Sequence, residues 1–526
     1  MKETEFNLIN ERWLLISDSG GQVREYSIKE ALNNADKLKA LSGENPAQDV
    51  AILRLLLGIL YAIFTKVDEN GEEHDEDGYN AVEFWATLWN KGHFPPEIIN
   101  AYLDKWQERF WLFHPERPFY QIADMDKGTS YKTPKLVGDS SESSNKIRLF
   151  QSRSGRPKAA IGNAEAARWL IYLNAFDDTS SKPTRGLKLP SVGAGWLGRL
   201  GLVYAAGNTL FQTLMLNFVL LDSGGELWEE GLATWELDSP RKAERTEIPL
   251  PQSQTELMTL QSRRICLERD KSGITGFKLL GGDFFQKENT FSEQMTLWRK
   301  PDVKKDEYVP KRHNPSKQFW RDFAPLFATI EGARRPGIVD WLAILEGEGL
   351  IRSRLVRLQA VSVQYGDKDF FVVDIWSDNI GINAALLSAL GDKWIYAIIA
   401  ALETTQKMVD TLRFLAANIA KASGGEGKAE REKAVEEAYF RLDNPFRIWL
   451  AEINPAEDDL GEKCGEWLDE ARGIISRLGG EMVSNAGMTA FVGRDGISTP
   501  QAHLKFRNSL RRERYRNEVR DNVKSE

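Results

Sequence analysis

Between Asn45-Pro46 and Phe64 the chain reads AQDVAILRLLLGILYAIF, and no other run limits the possible folds so strongly. Asn caps helix N-termini and Pro fits the first helical turn, so a helix opens here. Its apolar stripe is wide enough that most faces must be buried. From Val50 to Phe64 the run is broken by Arg54 and stays short of the ~20 apolar residues a membrane span needs. Such a helix calls for a large core around it. A chain of 526 residues, 42% hydrophobic and with 16 Trp, can build one. The length suits roughly two to four domains at about 150 residues each. With 28% charged residues, the composition is that of a soluble globular protein.

The start, MKETEFNLINERW, has no basic region followed by an apolar run, so no signal peptide is expected. Two cysteines, Cys266 and Cys464, make neither a disulfide framework nor a four-cysteine zinc site, which fits a reducing cytoplasm. Short strands are expected over 6–28, then helices over 80–90, 96–113 and 164–175. Residues 202–221 read as a buried helix preceded by a strand or turn. Strand-like alternation marks 255–300 and 350–376, with 316–347 helical between them. From 383 onward four segments keep helical periodicity: 383–422, 428–452, 456–478 and 499–520. The expected architecture is α+β: a large mixed α/β domain with irregular loops over 1–380, and a C-terminal four-helix bundle over 381–526.

Asp+Glu is 77 and Lys+Arg is 69, a formal charge of −8, which argues against a histone-like binder. Local patches matter more than the sum for nucleic acid. Residues 143–164 hold no acid but carry Lys146, Arg148, Arg153, Arg156 and Lys158, with Phe150 among them. Residues 179–221 also lack any acid and carry Lys182, Arg185, Lys188 and Arg199. Phosphate contacts need cations without competing carboxylates, and glycine lets a backbone approach closely. Phe150 amid bases could stack on a nucleobase or wedge a base step. The plainer reading of either run is a solvated basic loop. Arg352, Arg354 and Arg357 form a third cluster. The tail, with Lys505, Arg507, Arg511, Arg512, Arg514, Arg516 and Arg520, forms a fourth. For the tail, a solvated terminal helix with cations near its C-terminal dipole is the plainer reading.

Several tempting motifs fail. Gly193-Ala-Gly195-Trp-Leu-Gly198 matches G-x-G-x-x-G, but Pro190 spoils the strand that a dinucleotide fold needs before it. Residues 422–429 lack the first Gly and the Ser/Thr of a P-loop. Residues 68–79 lack the Gly and the final Glu of an EF-hand. His74, His93, His114, His313 and His503 show no metal-ligand spacing. No catalytic centre, metal or cofactor is expected, although dispersed carboxylates leave a two-metal nuclease open.

Five segments together resemble one family: FNLINERWLLI at the start, HPERPFYQ at 114–121, GNTLFQTLMLN at 207–217, LMTLQSRRICL at 257–267 and MTLWRK at 295–300. In this order they are similar to the large subunit, the CasA family, of the type I-E CRISPR surveillance complex Cascade. The resemblance implies a non-enzymatic DNA-binding and RNA-binding subunit in an antiviral RNA-guided assembly. Its partners would be guide RNA, sister subunits and double-stranded target DNA. It would read the protospacer-adjacent motif, help open the duplex, and recruit a helicase-nuclease. A metal-dependent nuclease and a pure scaffold are the competing readings.

The resemblance also implies roles for particular residues. In NKIRLFQSRSGRPK, Phe150 with Gln151 and Ser152, flanked by Arg148 and Arg153, would reach the guide RNA or a neighbouring subunit. A minor-groove loop falls within 177–195, with Lys182 and Gly186 as candidates. A minor-groove lysine follows ITGF, as either Lys278 or Lys287. The turn Tyr365-Gly366-Asp367-Lys368-Asp369, a good hairpin by its alternation and turn residues, stands where the family carries a wedge. Lys368 is its one cation, between Asp367 and Asp369.

Overall fold

The computed structural model describes residues 4–74, 80–137, 159–302, 304–328, 330, 332–351 and 355–524. The chain divides into two compact units. One comprises 1–316, 329–345 and 357–379, the other 317–328, 346–356 and 380–526.

The first unit is built around the Pro46–Phe64 helix. The Asn45 side chain accepts the Gln48 N–H at 2.9 Å, and Pro46 opens the first turn. Only Pro46 and Asp49 escape full burial. By length and composition this helix could cross a membrane, but 94% of its most apolar window lies inside the protein. The Asn163–Phe176, Leu210–Asn217 and Gln254–Met258 helices pack on it. Gly58 permits a close approach, since a Cβ there would sit 2.8 Å from Thr259 Cγ2. The one charge on this helix that lies fully inside, Arg54, meets Glu293 through two hydrogen bonds of 2.7 and 2.9 Å. Trp196 Nε1 donates to the same carboxylate at 2.8 Å.

Small sheets surround this core rather than one continuous sheet. One has the antiparallel order Thr129–Lys132, Gly273–Gly281, Arg263–Asp270. Another has the order Val372–Asn383, Leu355–Tyr365, Leu202–Ala206. The helix expected over 96–113 ends at Trp106, and Trp111–Phe113 pairs as a strand with Glu5–Asn7. Aromatic, β-favouring residues take the strand once a partner edge is present. The expected 316–347 helix is broken into Phe319–Asp322, Phe323–Phe327 and Gly337–Gly347. Between the last two pieces Gly332 takes φ +80° and Ala333–Arg334 pairs with Trp298–Arg299.

The second unit is helical. Asp392–Ala422 packs against Lys428–Glu452, Leu460–Ser484 and Thr499–Lys524, with the short Met488–Val492 between the last two. The expected 383–422 helix starts nine residues late, because Val372–Asn383 is a strand and Gly391 precedes the helix. A Cβ at 391 would lie 2.1 Å from the Leu386 carbonyl. Trp467 sits at the centre, edge-on to Phe446 at 5.0 Å, with its Nε1 donating to Thr405 Oγ1 at 3.0 Å. Lys505, Arg507, Arg511 and Arg512 are exposed on the last helix.

Two outcomes follow from these buried charges. Arg54→Ala strands the Glu293 carboxylate and should cost about 3–5 kcal/mol in urea unfolding, whereas an Arg54→Met/Glu293→Leu double variant should cost less than Arg54→Ala alone. Burial first, helped by the Glu44 charge, pushes the Asp49 carboxyl up to about 6 against the hydrogen bond from Gly43 N–H. A raised carboxylate binds a proton more readily folded than unfolded, so stability falls as pH rises from about 4 to about 6. Asp49→Asn should therefore stabilise by about 2–3 kcal/mol at neutral pH and by nothing below about pH 4, read from urea midpoints across pH.

Candidate nucleic-acid interface

The acid-free run begins directly after two buried acids, Asp177 and Asp178, at the end of the Asn163–Phe176 helix. The Arg263 side chain, about 1% exposed, ties down both ends of the loop they open. Its Nε donates to Asp177 Oδ2 at 2.6 Å. Its Nη2 donates to the carbonyls of Asp177, Asp178 and Gly193 at 3.2, 3.0 and 2.8 Å. Lys135 Nζ lies 3.2 Å from Asp177 Oδ1 and 2.6 Å from Asp178 Oδ2. Burial alone would raise the Asp178 carboxyl, but the Lys135 charge and the Ser180 hydrogen bonds outweigh it and hold it below its usual value.

Further donors pin the loop along its length. Arg245 donates to the carbonyls of Ser181 and Pro190, each at 2.8 Å. Glu244 accepts from Thr184 Oγ1 and N, and Tyr131 OH donates to the Ser180 carbonyl at 3.1 Å. Arg199 clasps the returning strand through the carbonyls of Val192 and Ala194. Burial first, then the charges of Arg263 and Arg312, push its guanidinium down to about 10, still charged at neutral pH. The three glycines that mimic a dinucleotide motif serve this packing. A Cβ at Gly195 would lie 2.4 Å from the Ala175 carbonyl, and one at Gly198 would lie 2.1 Å from Tyr365 Oη.

Tyr365 brings the hairpin to the same place, donating its hydroxyl to the Phe176 carbonyl at 2.6 Å. The tip is bound to the loop by backbone. Thr179 N and Oγ1 donate to the Asp369 and Lys368 carbonyls at 3.0 and 2.9 Å. Phe371 N donates to Asp178 Oδ2 at 3.0 Å. Arg312 grips the Asp369 carboxylate bidentately at 2.7 and 3.0 Å. These contacts hold Lys368, Asp369 and Phe371 at φ +54°, +56° and +68°. Each such residue costs on the order of 1 kcal/mol. The tip leaves Asp367, Lys368 and Phe370 exposed.

The structure thus joins the 177–195 loop to the 365–371 hairpin. Lys182, Arg185 and Lys188 are exposed, and none of them enters an ion pair among the described residues. Gly186 takes φ +88°, and a Cβ there would meet nothing within 4 Å. Its turn is closed by Leu187 N donating to the Thr184 carbonyl at 3.2 Å. Lys278 lies on the strand next to Thr129–Lys132, opposite Ser130, but its amine donates inward to the Met125 carbonyl at 3.0 Å. Lys287 is exposed and no hydrogen bond or ion pair among the described residues links it to the loop. Arg148, Phe150, Gln151, Ser152 and Arg153 lie outside the described residues, as do Arg352 and Arg354. The anchors Arg263, Arg245 and Arg312 have no sequence signal of their own. The pair Asp177-Asp178 at the border of the acid-free run is the one local hint of them.

The model of the CRISPR-associated protein Cse1 family matches residues 7–478. The chain belongs to the Cse1 family. The CasA/Cse1 protein of Thermus thermophilus is 30% identical over 440 residues, covering 80% of this chain and 79% of that protein. The crystal structure of Thermobifida fusca Cse1 is 30% identical and superposes with a TM-score of 0.84 over 97% of this chain and 98% of that one. A chain of a CRISPR RNA-guided surveillance complex shares the fold, with a TM-score of 0.67 at 17% identity over 92% of this chain and 100% of that one. This is the family that the five ordered segments resemble.

Gly195→Ala places a methyl against backbone that cannot swing aside. It should cost about 1–3 kcal/mol by denaturant unfolding and raise protease cleavage within 177–195, while Gly186→Ala should leave global stability nearly unchanged.

Proposed function

We propose that this Cse1 family member is the non-catalytic large subunit of a type I-E Cascade complex, acting in the cytoplasm with guide RNA and sister subunits. Its first unit reads a short motif flanking the target in duplex DNA, eases the first base pairs apart, and leaves sequence reading to the guide. On target binding it recruits a helicase-nuclease.

One observation carries this reading: a loop without a single acid presents Lys182, Arg185 and Lys188 to solvent while its base is locked beside a strained hairpin tip. Exposed cations with no internal partner are free to neutralise phosphates. Gly186, open on all sides, lets the backbone approach a groove floor. The minor groove offers only a degenerate code, so tolerance of several related motifs is expected. The tip, rigid and carrying Lys368 beside Phe370, suits insertion at a base step, whose unstacking takes a few kcal/mol that heteroduplex formation offsets. Lys278 could join only by releasing the Met125 carbonyl, so Lys182 and Lys368 are the first residues to test.

The test is reconstitution with guide RNA and sister subunits, then binding to duplexes with randomised flanks. A Lys182→Glu/Arg185→Glu/Lys188→Glu variant should weaken flank-dependent duplex binding at least tenfold and flatten its salt dependence. Binding to a pre-opened single-stranded target should change little. Equal loss on both substrates would replace motif reading with a scaffold role.

A further inference from the structure

Beside the loop runs a cleft of about 720 Å³, walled on one side by Thr184 and Leu187 and on the other by residues 115–117 and 122–127. Arg117 and Pro240 also wall a smaller adjoining pocket of about 40 Å³. That is about three times the ~10–15 Å³ one water needs, room for a tetrahedral oxyanion. The pocket is lined by two arginines, Arg109 and Arg117, and by no carboxylate. Both are half-buried, and neither makes an ion pair among the described residues.

The walls are rigid. His114 Nδ1 accepts the N–H groups of Glu116 and Arg117 at 3.1 and 3.0 Å, fixing the turn that carries Arg117. Gln121 Nε2 donates to the Leu112 carbonyl at 2.7 Å, and its Oε1 accepts Leu267 N–H at 2.9 Å. Phe119 stacks on Phe110 at 4.6 Å. The HPERPFYQ segment therefore builds the pocket as one preorganised piece. Burial first, then the neighbouring Arg117 charge, lower the Arg109 pKa, with Asp238 opposing but forming no ion pair. Two cations held together and partly desolvated gain from a bound anion, and paired guanidinium forks match phosphate geometry.

We propose that Arg109 and Arg117 form an oxyanion pocket that takes a backbone phosphate of a nucleic-acid strand running from the 182–188 loop along the cleft. The nucleic-acid source rests on the proposed function; the phosphate chemistry does not. The acids around the outer cleft, Glu116, Asp124, Asp126 and Glu244, confine the anion to the acid-free pocket.

The full chain is tested with inorganic phosphate against chloride at matched ionic strength, and with a labelled single strand of about 12 nucleotides. Phosphate should raise the wild-type Tm and displace the oligonucleotide more effectively than chloride. Arg109→Gln/Arg117→Gln should abolish the phosphate-specific rise and weaken oligonucleotide binding about fivefold or more, with its Tm in chloride unchanged or higher because the like-charge repulsion is gone. Absence of any phosphate-specific effect on the wild type, a reading that needs no variant to fold, overturns the pocket. A phosphate response with unchanged oligonucleotide affinity in the double variant overturns the strand assignment in favour of a free anion. Retained flank dependence in a reconstituted complex carrying this variant would leave the loop reading intact, so the two proposals fail separately.

Discussion

A guanidinium buried under the chain is what the interface depends on. Arg263 satisfies three loop carbonyls and one carboxylate at once, and its strand is part of an antiparallel sheet that does not move with the loop. A buried cation of this kind is costly unless every donor is used and a counter-charge is at hand. Asp177 supplies the charge and Lys135 balances the second acid, Asp178. The acids of this region are consumed inside, and the bases that follow them are left outside. That division, rather than the net charge of −8, gives an acidic chain a cationic working face.

The same arrangement accounts for the strained hairpin. Three residues with positive φ near its tip persist because the Arg312 fork, the Thr179 hydrogen bonds and the Asp178 carboxylate over-determine their positions. Strain retained by this many contacts keeps a tip from collapsing onto its own strands. Loop and tip are thereby one rigid body within the first unit, joined mostly through backbone atoms, so side chains at their surfaces are free for a ligand.

The glycines at 193, 195 and 198 show how a motif can be present for a reason unrelated to its usual chemistry. Pro190 already excludes a dinucleotide strand, and the structure supplies the positive cause: the Ala175 carbonyl and the Tyr365 hydroxyl occupy the space a side chain would need. His114 is a similar case. Without a metal partner in the sequence it reads as a packing or capping residue, and it caps the turn that holds Arg117.

Local pattern alone is enough for the core helix with its Asn45 cap, the two acid-free runs, the hairpin around Gly366 and the long bundle helices. Each of these depends on residues close together in the chain: a cap three residues from its donor, an alternation of period two, an absence of acids. The helix limits at 106, 327 and 392 differ from the local pattern because a strand partner or a close carbonyl overrides local propensity. The roles of Arg263, Arg245, Arg312 and the Arg109–Arg117 pair are not legible in the sequence at all. An arginine in sequence carries no sign of whether it will meet a carboxylate, a carbonyl or nothing. Only folding brings residue 263 to residues 177 and 193, and only that packing separates the cations spent on holding the loop from those left free to bind.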